Sequence, residues 1–262
     1  MPSNFVSAAP DRVNACEVDW AGERVHLLPA PALWWPAGPQ GGTLFVADLH
    51  LGKAATYRAL GQPVPGGTTA RNLARLDALI DTHAPGHLVF LGDFLHARQA
   101  RTPSLLQALA DWRARHAALA MTLVRGNHDD RAGDPPVELG IAVVDEPHRL
   151  GPFAACHHPQ THPTHFVLAG HEHPVCSLQG AGRDRLRLPC FVQEAGRAVL
   201  PAFGEFTGGW QVPPAPGRRF YAVGGAAVWP LPEPGGEPAV LASPASAAAP
   251  RWRAATEPRS LP

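Results

Sequence analysis

The sequence predicts an α/β fold with a second β-sheet packed on the first, and three observations carry that reading. Five short apolar runs each end in a cluster of Asp, Asn or His: FVADLH, VFLGDFLH, TLVRGNHDD, AACHHP and VLAGHEH. Between Thr43 and the TLV run at 122–124, strand-like runs alternate with helix-like ones, the order that gives right-handed crossovers and parallel pairing. Past Pro189 the pattern changes to short strands separated by turns (CFV, AVL, RRFYAV, AAVWPL).

Taken in chain order, CEVDWAGERVHLL (16–28) reads as a hairpin turning near Ala21-Gly22, followed by a Pro-rich crossing through Trp34 and Trp35. The first rim strand covers Thr43 to Ala47. After His50, LGKAATYRALGQPVPGG is punctuated by Gly and Pro and reads as an irregular loop over the site, with room for one short helix. Thr68 or Thr69 can cap a helix with Leu73, Leu76, Leu79 and Ile80 on one face, ended before Pro85. A second helix starts at Thr102, with Pro103 in its first turn, and buries Leu105, Leu106, Leu109 and Trp112. A hairpin turn is expected at Gly224-Gly225. Residues 1–231 read as a single domain. From Pro232 to 262 the chain is Pro, Ala, Gly and Ser with few core-forming side chains, the composition of a disordered tail.

Composition narrows the class. The chain has 262 residues, and its 22 Lys and Arg balance 22 Asp and Glu, which argues against strong non-specific adhesion to a polyanion. No stretch approaches the roughly 20 apolar residues of a membrane span. The N-terminus shows no basic start followed by an apolar run, so a cytoplasmic protein is expected. Four cysteines without a CxxC pair read as buried thiols, with Cys156 on a strand and pointing away from the neighbouring His157.

The chemistry lies in the five clusters. An apolar strand followed at once by a turn puts its polar residues at the strand's carboxyl end, the rim where open α/β sheets bind ligands. Asp48 and His50, Asp93, Asn127, His157 or His158, and His171 and His173 together offer oxygen and imidazole donors, a mixture that suits Mn, Fe or Zn. Two divalent ions held about 3.5–4 Å apart need one bridging carboxylate, and Asp93, leaving a central strand, is the natural bridge. His128, with Asp129 beside it, reads as a carboxylate-backed imidazole able to protonate a leaving oxygen. Lys53 and Arg58 follow the first ligands and can neutralise a bound phosphate. The PAFGEFTGG loop (Phe203, Gly204, Thr207, Gly209) is expected to close over the site. Arg98 and Arg101 read as solvated helix-start residues and RDRLRL as an exposed strand face. No aromatic-interleaved basic stripe for stacking single strands is visible.

The ordered set DLH, GDFLH, GNHD, HHP and GHEH resembles the calcineurin-like metallophosphoesterase superfamily, over about Thr43 to His173. That resemblance implies a four-layer αββα sandwich. It implies one metal on Asp48, His50, Asp93 and His173, the other on Asp93, Asn127, His157 and His171, and His128 as the acid. Many members carry Asp where this chain has His96. ADLHLGKAATYRALGQPVPGG, ALWWP and LPAFGEFTGG further resemble the bacterial DNA-ligase-associated metallophosphoesterases, over about Glu17 to Leu231. This likeness implies work alongside a DNA ligase, a helicase and an exonuclease in repair, with a DNA or nucleotide phosphodiester as substrate; two divalent ions are expected as cofactors, Mn first, with Fe or Zn as alternatives. Hydrolysis of small nucleotide or lipid-linked substrates, and a non-catalytic metal-stabilised scaffold, are the alternatives.

Overall fold

Thr43–Val46, His87–Leu91 and Ala120–Val124 are apolar enough to be buried on both faces, and they form the parallel heart of the molecule. The structure is a computed structural model and describes residues 14–64, 66–179, 185–233 and 253–254. The first sheet runs β1 (Cys16–Trp20), β2 (Glu23–Leu28), β3 (Ala32–Trp35), β4 (Thr43–Val46), β5 (His87–Leu91), β6 (Ala120–Val124) and β7 (Ala142–Val144), in that spatial order. Pairing is antiparallel from β1 to β4 and parallel from β4 to β7, so the sheet is mixed. The segment expected to be a Pro-rich crossing is therefore strand β3: Ala32, Leu33, Trp34 and Trp35 are all buried against β2 and β4.

Four helices accompany this sheet: α1 (Lys53–Ala59), α2 (Thr68–His83), α3 (Pro103–Arg115) and α4 (Asn127–Ala132). Helix α1 is the short helix for which the Gly/Pro-punctuated loop left room. Helix α2 starts as expected, but Gly67 occupies the cap position and Thr68 is a buried first-turn residue rather than a cap. In α3 the Thr102 hydroxyl accepts from Leu105 N at 3.2 Å, with Pro103 in the first turn. Leu73, Leu76, Leu79, Leu105, Leu109 and Trp112 cover Leu44, Val46, Leu88, Phe90, Met121 and Leu123, the outer face of the first sheet.

The second sheet comprises β8 (His148–Leu150), β9 (Phe153–Ala155), β10 (Phe166–Ala169), β11 (Pro174–Gln179), β12 (Arg185–Glu194), β13 (Arg197–Val199), β14 (Trp210–Gln211), β15 (Arg219–Gly224), β16 (Ala227–Pro230) and β17 (Arg253–Ala254). Its order is β14-β11-β12-β13-β10-β9-β8, with β15 and β16 beside β12 and β17 beside β11. The hairpin turn between β15 and β16 lies at Gly225 and Ala226, one residue later than the sequence suggests, because Gly224 still pairs with Ala227. The expected tail lies almost wholly outside the described residues, apart from Arg253–Ala254, which pair with Gln179 and Leu178. The Arg183–Leu188 run begins outside the described residues and continues along β12 as an exposed strand, as expected.

Trp20, Leu33, Trp35, Phe45, Val89 and Leu91 of the first sheet meet Phe153, Leu168, Phe191, Ala198 and Tyr221 of the second, so the two mixed sheets pack face to face. The opposite face of the second sheet carries a buried cluster of its own. Cys156 lies there against Ala154, Val167 and Ala169, away from the rim, as expected. All four cysteines are free thiols.

Candidate metal centre

Each ligand-bearing rim is a short strand run to its last residue and then turned sharply. Asp48 and His50 follow β4, Asp93 follows β5, Asn127 follows β6, His157 follows β9, and His171 and His173 follow β10. The turns are left-handed: Asp48, His50, Asp93, His171 and His173 have φ between 45° and 71°. Residues two apart on a strand share a face but lie far apart along it, and a left-handed residue at each position folds both side chains toward one point. Such a conformation costs on the order of 1–3 kcal/mol per residue and persists only where the surroundings enforce it. Here they do: His50 N donates to Asp93 O (2.8 Å), Leu51 N to Phe94 O (2.9 Å), and Phe203 N to Ala47 O (2.8 Å).

Two motif glycines permit the crowding. A Cβ on Gly92 would lie 2.1 Å from His157 Nδ1, and one on Gly170 would lie 2.7 Å from Asp48 Oδ2. Gly92→Ala is therefore expected to displace His157 and leave no more than one ion bound per chain, a loss that elemental analysis of the purified variant reads directly.

Two pockets result, sharing Asp93. In the first, Asp48, His50, Asp93 and His173 present ligand atoms within 4.8 Å of one another. His50 Nε2 lies 3.2 Å from His173 Nε2 and 3.5 Å from Asp93 Oδ2, and His173 Nε2 lies 3.5 Å from Asp48 Oδ1. In the second, His157 Nε2 lies 2.9 Å from Asn127 Oδ1, 3.0 Å from His171 Nδ1 and 3.4 Å from Asp93 Oδ1. Each oxygen of Asp93 thus faces one pocket.

The tautomers follow from the outward partners. His173 Nδ1 donates to Thr207 O (3.1 Å) and His157 Nδ1 to Leu91 O (3.0 Å), so the Nε2 of each faces inward as a lone pair. The His157 Nε2 lone pair, 2.9 Å from Asn127 Oδ1 and 3.4 Å from Asp93 Oδ1, faces two oxygens that also lack a proton, and such groups repel one another unless a cation sits among them. Ligand atoms about 2.1 Å from a shared ion are separated by about those distances. Asp48 and Asp93 are both buried, and two buried carboxylates also require positive charge. The donor set therefore fits two divalent cations.

Comparison with known proteins gives the family. The calcineurin-like phosphoesterase family matches residues 43–156, which include Asp48, His50, Asp93, Asn127 and His128. The crystal structure of the Pseudomonas putida nuclease MPE is 51% identical, with a TM-score of 0.72, and the match covers 83% of this chain and 100% of that one. This chain is a calcineurin-like phosphoesterase. Yfce, a phosphoesterase from E. coli, is 16% identical with a TM-score of 0.34 over 71% of this chain and 95% of that one; at that distance it says nothing about the site. No curated protein matches the sequence. The family is one of metal-dependent hydrolytic enzymes, and Asp48, His50, Asp93 and His173 form a cluster that could hold such an ion.

Around the phosphoesterase's pockets, His128 stands at the open edge. Its backbone N donates to Asp93 Oδ1 (2.9 Å), and its Nδ1 donates to His96 O (2.7 Å), which leaves Nε2 free. The carboxylate backing expected from Asp129 is absent. Asp129 is buried, and its oxygens accept from the backbone N–H groups of Phe94 (3.0 Å), Leu95 (3.1 Å) and Gly126 (3.0 Å). It ties the turn after β5 to the start of α4, because a helical residue one step from His128 projects about 100° away from it. Burial, opposed by those N–H donors, lifts the Asp129 carboxyl to about 6.

Of the two adjacent histidines left open by the sequence, His157 is buried in the second pocket. His158 points its Nδ1 at Glu146 Oε1 (2.8 Å), while its ring lies 4.5 Å from that of His171. Lys53, at the start of α1, donates to Thr207 O (3.3 Å); burial lowers its pKa, opposed by Asp93 and Asp48. Arg58 sits at the other end of α1 and donates to Val64 O (3.4 Å). Arg101, expected to be solvated, instead donates to Gly133 O (3.2 Å) and Asp134 O (2.6 Å), binding the end of α4.

The residue that sequence reasoning undervalued is His96. Its Nδ1 lies 3.4 Å from His50 Nδ1, a long contact, and its ring stacks on His128 with centroids 5.0 Å apart. Burial, with Lys53 and His128 nearby, lowers its pKa to about 4. The available signal was its place three residues after Asp93. Removing a partner behind a metal-binding histidine costs about 10–100-fold in metal affinity. His96→Ala should accordingly raise the Mn concentration for half-maximal activity by that factor, with the Mn-saturated rate much less affected.

Proposed function

We propose that this phosphoesterase is a two-metal phosphodiesterase that cleaves nucleic acid, working with Mn in the cytoplasm alongside a DNA ligase, a helicase and an exonuclease in repair. The observation that carries the reading is the pair of pockets sharing Asp93, one carboxylate oxygen facing each. The likeness to the Pseudomonas putida nuclease over 83% of the chain supports nucleic acid over a small ester. The likeness to the ligase-associated group supports the repair setting. Bound divalent ions supply Lewis-acid polarisation of the phosphoryl oxygens and activate a water nucleophile.

This chain's own residues do the rest. Asp48, His50, Asp93 and His173 would hold one ion, and Asp93, Asn127, His157 and His171 the other. His128, its tautomer fixed by the His96 carbonyl, directs Nε2 to protonate the leaving oxygen. Asp129 keeps the His128 turn in register. Lys53 places positive charge beside the two carboxylates, where a phosphate would bind. Arg58, at the far end of α1, is a weaker candidate for that contact. The balanced net charge leaves affinity to the metal site and a few local contacts rather than to a wide basic surface.

The test is a substrate panel run with Mn, Zn, Fe and Mg in turn. It comprises single-stranded and duplex DNA, cyclic and dinucleotide phosphates, and bis(4-nitrophenyl) phosphate. Cleavage of DNA, fastest with Mn, is the expected result; turnover of dinucleotides or pyrophosphates with DNA left intact would contradict the proposal.

A further inference from the structure

We propose that Phe206 and Trp210 form a stacking platform for unpaired nucleobases next to the scissile phosphodiester; this rests on the nucleic-acid reading above. Phe206 is 50% exposed and Trp210 68% exposed, and they are the two exposed large aromatic residues among the described residues. Both belong to one short segment after β13, and that segment is clamped to the metal centre. The carbonyl of Thr207, next to Phe206, accepts from His173 Nδ1 (3.1 Å) and Lys53 Nζ (3.3 Å). Trp210 N donates to the carbonyl of the same His173 (3.0 Å). Gly204 N donates to Asp48 O (3.1 Å), the Arg71 guanidinium binds Glu205 (2.7 Å), and Arg75 Nη1 donates to Phe203 O (2.9 Å). The two aromatics are therefore held on a braced frame around one metal-ligating histidine.

Folding alone does not account for them. Phe206 has φ 61°, a left-handed conformation that strains a bulky residue, and its ring remains in water. Glycine would serve the turn better. Among the described non-glycine residues with positive φ, Ala21, Gln40 and Ala84 complete turns or a helix end, whereas the other five besides Phe206 are candidate metal ligands. Strain and exposed aromatic surface at one position next to a reaction centre mark a residue kept for contact with a ligand.

The neighbouring charges indicate which ligand. Lys53 is bound to the carbonyl of Thr207, next in sequence to Phe206, and Arg187 of β12 donates to the carbonyl of Gly209, next to Trp210, so a cation is tied to the backbone beside each aromatic residue. Aromatic faces beside cations suit a single strand, whose phosphates meet the cations while its bases stack. A duplex keeps its base faces covered and offers nothing to such a surface. The sequence shows no stripe because the residues stand at positions 53, 187, 206 and 210, and only the fold ties Lys53 and Arg187 to the segment that carries the two aromatics.

The test uses the full chain with Mn and two oligonucleotides of equal length, one with normal bases and one abasic around the cut. Phe206→Leu and Trp210→Leu should each raise KM for the normal strand about 5- to 100-fold, the range expected for one lost base stack. On the abasic strand, the same substitutions should add little to the loss already caused by removing the bases. Phe206→Trp, which keeps a ring, should restore the low KM. Phe206→Gly guards against misfolding: it should raise Tm by relieving the left-handed strain while still raising KM. Unchanged KM in both leucine variants, or losses that simply add on the abasic strand, would overturn the platform alone. Wild-type protein that turns over bis(4-nitrophenyl) phosphate and leaves every oligonucleotide intact would overturn the nucleic-acid reading, and the platform with it.

Discussion

Asp93→Asn is expected to abolish hydrolysis, lowering kcat by roughly 10³-fold or more whichever divalent ion is supplied. The substitution conserves shape but removes the one charge that both pockets share. Asp93 Oδ2 lies 3.5 Å from His50 Nε2 and Oδ1 lies 3.4 Å from His157 Nε2, so a neutral amide weakens both ion sites at once. In the metal-free protein the effect on stability should run the other way, because Asp48 and Asp93 are buried carboxylates that repel each other. Tm of the metal-free variant should be equal to or above that of the metal-free wild type, while the rise in Tm on adding Mn should shrink. In the wild type, stripping the ions with a chelator should lower Tm by roughly 5–10 °C, since binding to the folded state alone adds stability. Loss of activity with the Mn-dependent rise in Tm intact would mean that Asp93 is not the bridge.

His128→Ala is the second large effect. The backbone N–H that His128 gives to Asp93 survives the substitution, so the metal pockets should fill normally. What disappears is Nε2, the proton source. A loss of about 10²–10⁴-fold in kcat is expected on a phosphodiester whose alkoxide leaving group needs a proton. With a 4-nitrophenyl leaving group, which departs as a stable anion, the loss should shrink to about tenfold or less. Equal losses on both substrates would assign His128 to phosphate binding instead. Asp129→Asn provides a contrast: Asp129 faces three backbone N–H groups rather than His128, so its removal should show in Tm rather than in leaving-group dependence.

Much of this was legible in the sequence because apolar period and turn chemistry are local. The five runs that end in Asp, Asn or His became strand ends, and the Thr102-Pro103 helix start was read from its cap. Trp34 and Trp35 were misread because prolines on either side suggested a crossing, whereas the strand between them is only four residues long. Asp129 was misread for a different reason. Adjacency in sequence suggested adjacency of side chains, but in a helix consecutive side chains diverge. The bracing of His128 by a carbonyl, of Arg101 by the end of α4, and of His173 by Thr207 leaves no trace in residue type, since any residue carries a carbonyl. The platform residues and His96 were likewise hidden, as their role depends on what long-range folding sets beside them.

The most direct test is a crystal of the full chain grown with Mn and measured for anomalous scattering. Two peaks about 3.5–4 Å apart are expected. Asp93 should lie between them, with Asp48, His50 and His173 around one and Asn127, His157 and His171 around the other. A single peak, or two peaks with Asp93 turned away from either, would contradict the shared-carboxylate centre on which the account rests.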